Sequence, residues 1–135
     1  MKKFTELSFL FTVVAVIELF YAATGLLTPP GKMLNITGWV LNADGNWLAK
    51  LLGMALLFQA LVAWILRKKP HLGIARALAV YQIGAATIDW VMMIAMADQD
   101  IFSTTLGRSL VIVSVPLHYL IGLLLLIATK KASYK

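Results

Sequence analysis

The 135-residue chain contains no cysteine, only two histidines and only six acidic residues. The absence of cysteine excludes disulfides, thiolate metal sites and cysteine nucleophiles. Gly-rich phosphate loops and Ser-centred nucleophile motifs are also missing, which weighs against nucleotide use and hydrolysis. The two histidines, His71 and His118, lie far apart along the chain. One falls at an expected membrane interface and the other mid-span, which excludes bis-histidine haem within one chain. A metal site would need Glu18, His118 and a third ligand. No metal and no cofactor are therefore expected.

Apolar residues, in contrast, are abundant: 61% of the chain is hydrophobic and its mean hydropathy is +0.85. A soluble domain of this length cannot hide that much apolar surface, so the composition is that of an integral membrane protein. About 20 consecutive apolar residues cross the hydrocarbon core as a helix. Four segments qualify, at 6–27, 47–66, 72–96 and 106–129. They use most of the chain and predict a single all-α domain, an antiparallel four-helix membrane bundle. The first segment follows Lys2 and Lys3 as a signal peptide would. Its apolar stretch is longer than a usual signal core and carries Glu18, so it is expected to be a retained helix.

The net charge of +6 is not spread as nucleic-acid binding would require. Lys2, Lys3, Arg67, Lys68, Lys69, Arg76, Lys130, Lys131 and Lys135 fall on the side that four crossings give to both termini. Lys32, Lys50 and Arg108 fall opposite, with Asp44, Asp98 and Asp100. This positive-inside distribution predicts cytoplasmic termini, contact with anionic headgroups and no nucleic-acid partner.

The turns are legible too. Thr28-Pro29-Pro30-Gly31 stops helix 1. The stretch from Lys32 to Asn46 is expected to form a short helix at the outer interface, with Trp39 at headgroup level. Asn35-Ile36-Thr37 matches a glycosylation sequon on the outer side. Asp44-Gly45-Asn46 is expected to cap helix 2 and Ser103-Thr104-Thr105 helix 4. Arg67-Lys68-Lys69-Pro70 is short enough to make helices 2 and 3 antiparallel neighbours.

Four polar residues, Glu18, Gln59, Gln82 and His118, lie near the centres of the four spans. Polar groups at that depth are costly and normally face the bundle interior, as a site or as a structural contact. Helical spacing extends them into stripes of mostly small or polar residues. Helix 1 contributes Phe11, Val14, Glu18, Tyr21 and Gly25, and helix 2 Leu52, Ala55, Gln59 and Ala63. Helix 3 contributes Ala75, Ala79, Gln82, Ala86, Asp89 and Met93, and helix 4 Ser114, His118 and Gly122. Membrane helices pack through such small residues. Asp89 falls about 10 Å outward of Gln82, with Arg108 as its candidate partner. Glu18 is expected to pair with His118, as an ion pair or a neutral hydrogen-bonded pair, or to lock the bundle through a structural hydrogen bond to Gln59, Gln82 or His118. Trp90 stands beside Asp89 as a candidate pocket wall, and Pro116 frees the carbonyl of Ile112 to kink helix 4.

Gly25-Leu26-Leu27-Thr28-Pro29, Gly53-Met54-Ala55-Leu56-Leu57, Arg67-Lys68-Lys69-Pro70 and Ala75-Arg76-Ala77-Leu78 together resemble small bacterial four-helix membrane proteins of the DoxX-like kind. The resemblance implies a multi-pass protein of the bacterial inner membrane. Glu18, mid-way along the first helix, is also similar in placement to the glutamate of small multidrug exporters. Those chains are shorter and lack so long a first loop.

The leading functional expectation is a pocket for an amphipathic or lipid-like small molecule. Glu18, Gln59, Gln82, Asp89, His118, Tyr21 and Trp90 are its candidate ligand-binding residues. The alternatives are a structural subunit of a larger membrane complex or a homodimer, a membrane-embedded isomerase using Glu18 and His118, and a proton-coupled transporter.

Overall fold

The computed structural model describes residues 6–29, 42–96, 98 and 104–133, with the backbone of 33–34 and 39–40. Lys2, Lys3, Lys32, Asn35-Ile36-Thr37, the Trp39 side chain, Gln99, Asp100, Ser103 and Lys135 lie outside the described residues. Four helices follow in order: α1 at Leu7–Leu27, α2 at Ala43–Leu66, α3 at Leu72–Ala95 and α4 at Thr105–Ser133. Their lengths of 21, 24, 24 and 29 residues and their apolar composition suit each to cross a membrane. Even the shortest reaches about 30 Å at the helical rise.

Three of the four helices begin where a side chain takes an orphan backbone N–H, whereas α1 starts after Glu6 without a side-chain cap. Asn42 Oδ1 accepts from the Gly45 N–H at 2.7 Å, at the start of α2. Thr104 Oγ1 accepts from Gly107 at 3.0 Å before α4. His71 Nδ1 faces the Ile74 N–H at 3.4 Å before α3. The cap of α2 therefore lies upstream of the expected one. Asp44, Gly45 and Asn46 are inside the helix, because Asn42 is itself a good cap and Asp44 favours the positive end of the helix dipole. Asn46 is buried. At its far end α2 closes on Arg67, whose guanidinium donates to the Trp64 carbonyl and lies 3.5 Å over the Trp64 ring. α4 runs unbroken through Pro116 and carries Lys130 and Lys131 in its last turn.

Between α1 and α2 the expected interfacial helix is replaced, at the described positions, by a two-residue antiparallel pair. Met33 opposes Val40 and Leu34 opposes Trp39. Pro29 stops helical propagation before it, and β-branched and aromatic residues favour extended backbone.

α1 packs along α2, α3 along α4, and α1 also meets α4. α2 and α3 are less intimate than their short connection predicts, touching through Gln59 and Tyr81 rather than along their lengths. A connection restrains only the two ends it joins. Close approach requires small residues, and these sit elsewhere. A Cβ on Gly53 would come within 2.9 Å of Leu26 Cγ, and one on Gly25 within 3.0 Å of the Ala49 carbonyl. Across α3 and α4, a Cβ on Gly122 would meet Ile83 at 2.6 Å and the Ala79 carbonyl at 3.2 Å.

The apolar core is one-sided. Its buried members are Leu10, Phe11, Val14, Ala15, Ala63, Ala75, Leu78, Ala79, Ile121, Leu125 and Ala128. All lie in the half of the bundle nearer the start of α1 and the end of α4, called here the terminal end. Most large apolar residues elsewhere, Phe20, Phe58, Ile65, Val80 and Ile88 among them, are exposed, as lipid-facing side chains are.

Candidate functional site

Three of the four expected midplane residues come together. Glu18 from α1, Gln82 from α3 and His118 from α4 are buried, with exposures of 1%, 0% and 8%. Gln82 stands in the middle. Its Nε2 donates to Glu18 Oε1 at 2.6 Å, and its Oε1 faces His118 Nδ1 within hydrogen-bonding distance. An amide oxygen only accepts, so Nδ1 carries the proton in that bond. The expected direct pair of Glu18 and His118 is thus corrected to a relay through Gln82. The reason is register: Gln82 presents both a donor and an acceptor at one level between α1 and α4.

The chain uses one oxygen of Glu18 and one nitrogen of His118. Around it the bundle offers further polar groups. The Tyr21 ring lies 6.1 Å from the His118 ring, tilted by 30°, and its hydroxyl is beside Ser114. Ser114 donates its own proton to the Val111 carbonyl at 3.0 Å, so its oxygen is left to accept. Asp89 is half-buried on the same face of α3, with His118 among its electrostatic neighbours. It stands about two turns, roughly 10 Å, from Gln82 toward the end opposite the termini.

Gln59 does not join the relay. It is half-buried and meets the Tyr81 hydroxyl. The inward face of α2 is turned about one residue from the expected stripe, so that Gly53, Leu56, Ala60 and Ala63 are buried while Leu52 and Ala55 are exposed. Close packing on Gly25 sets that rotation. Trp90 is 51% exposed and so lies on the bundle surface rather than within it. Among the described residues, no three His, Asp or Glu side chains gather as metal ligands would.

Lys50 has a role its composition-level reading misses. Its ammonium donates to the Gly25 and Leu26 carbonyls, each at 2.9 Å, and to the Thr28 carbonyl. These are among the carbonyls that the end of α1 leaves without an intrahelical partner, at the negative end of the helix dipole. The available signal was a lysine inside the first turns of α2, at the level where α1 must stop at Pro29.

No protein-family model, curated protein or solved structure matches the chain. Function therefore has to be argued from the site.

Proposed function

We propose that the protein holds an amphipathic small molecule in the membrane, with its polar end against Glu18, Gln82 and His118. The observation that carries this reading is the relay itself. Two ionisable side chains are buried at mid-membrane, where such groups are costly and lean toward function. Each keeps one polar atom outside the relay, and Tyr21, Ser114 and Asp89 are grouped on the side away from the termini. Gln59 and Tyr81 assist from α2 and α3. The lining is rich in acceptors, so the head it suits donates hydrogen bonds, as an amine or an alcohol does. The apolar helix faces suit the remainder of the molecule, as in other ligand sites.

The test is native mass spectrometry of the protein gently extracted from its own membrane. The expected result is a retained small mass that Glu18→Gln and His118→Ala both lose while the helices stay folded. Retention in both variants sinks the proposal.

A second reading has its own observation. Both ends of the Gln82 amide are occupied, and the relay ties α1, α3 and α4 together, as a purely structural polar layer would. On that view the protein is a subunit of a larger membrane complex or a homodimer. A specific assembly that survives extraction and ignores the two substitutions would favour it.

We place the protein in the bacterial inner membrane with both termini cytoplasmic. The basic residues at the terminal end and the resemblance to DoxX-like proteins support this. A fluorescent protein fused after Lys135 is then expected to fluoresce, and an exported phosphatase fused there to stay inactive.

A further inference from the structure

The two halves of the bundle on either side of the relay are built differently. The largest fully buried side chains are Phe11, Leu10, Leu125, Gln82, Glu18 and Val14. Two belong to the relay and the other four lie toward the terminal end, where Leu78 and Ile121 join them. The opposite half contributes Ala22, Ala86, Gly53, Gly107, Leu56 and Val115 to the buried set. Most of these are small. Among the polar side chains there, Asn46 is buried, Asp89 and Ser114 are half-buried, and Tyr21 is 37% exposed. In hydrocarbon a carboxylate and hydroxyls so placed need partners or water.

We infer that the relay is reached from one face of the membrane only, through a wet vestibule in the half of the bundle opposite the termini. Tyr21, Asp89 and Ser114 line this vestibule, Glu18–Gln82–His118 is its floor, and the apolar plug of Phe11, Leu10, Val14, Leu78, Ile121 and Leu125 seals the other side. The occupant rests on the amphiphile reading above, but the access does not. The consequence is directional. A head group enters from the far face, stops at the relay and leaves the same way. A transporter would have to part the plug, which ties α1, α3 and α4 together and has Ala63 of α2 in the same core.

The absence of cysteine allows a direct test. Single cysteines are placed at Ser114, Val14, Ala63 and Ser133, in vesicles of known orientation, and a membrane-impermeant maleimide is added from one side at a time. A thiol reacts as its thiolate and so requires water. Ser114→Cys is expected to label from the side opposite the termini and not from the terminal side. Val14→Cys and Ala63→Cys, inside the plug, are expected to label from neither. Ser133→Cys, exposed at the end of α4, reports the terminal side, and helical content by circular dichroism checks that each variant is folded. A folded Ser114→Cys that is silent from both sides overturns the vestibule. Labelling of Val14→Cys from the terminal side overturns the plug. No ligand is present in the assay, so a failed binding experiment leaves the access result standing, and the reverse holds too.

Discussion

Gln82 donates with one end of its amide to Glu18 and offers the other to His118, so a single substitution breaks both bonds. Gln82→Leu leaves a buried acceptor and a buried donor unpaired. An unpaired buried polar group costs about 1–3 kcal/mol, although interhelical bonds in membranes average nearer 0.6 kcal/mol. A loss of about 1–3 kcal/mol is expected for Gln82→Leu, measured by thermal or denaturant unfolding in detergent. Gln59→Leu is expected to cost clearly less, because Gln59 is half-buried and makes its contact outside the relay. Equal losses at the two positions would mean that the relay has no special place in the fold. Glutamine is often only a helix-packing residue. Its double engagement became visible when α1 and α4 were brought to either side of it.

At the scale of the helix, two predictions separate packing from capping. Gly53 faces Leu26 and the Ala22 carbonyl so closely that a leucine there must push α1 and α2 apart. Overpacking of this kind costs about 1–3 kcal/mol. Gly84 has open space where a Cβ would go, and Gly84→Ala is expected to be neutral or slightly stabilising because alanine favours helix. The unfolding midpoints of the two variants check this, and a destabilised Gly84→Ala would contradict it. Lys50→Met removes the ammonium from the three carbonyls that end α1. The expected outcome is local: amides from Gly25 to Thr28 exchange faster in hydrogen–deuterium exchange, while the start of α1 is unchanged. Uniform acceleration along α1 would show that Lys50 supports the whole hairpin rather than its end.

Across the whole molecule, the core is concentrated in the terminal half. Phe11 is fully buried there, and Phe11→Ala is expected to cost about 3 kcal/mol or more through lost packing. Leu56 is buried in the opposite half, where most buried residues are small, and Leu56→Ala is expected to cost less. Unfolding of the two variants side by side tests the asymmetry, and equal costs would remove the basis for a wet half and a sealed half. The same asymmetry separates the functional alternatives. Binding needs only the open half, whereas coupled transport needs the plug to move.

The four spans, their lengths to within a few residues, the stops at Pro29 and Arg67 and the polar residues near mid-membrane were all legible in the sequence. Each depends on local composition: lipid selects for long apolar runs, and proline or a charged turn ends them wherever they occur. The interior faces of α1 and α3 were legible for the same reason, since Val14, Glu18, Ala79 and Gln82 recur at helical spacing. The rotation of α2, the placing of Gln82 between Glu18 and His118, the exposure of Trp90 and the use of Lys50 on α1 were decided by the tertiary structure alone. Each depends on how closely two helices approach, through Gly25 with Gly53 and Gly122 with Ala79. That fit joins residues far apart in the chain, and neither member of a pair announces its partner.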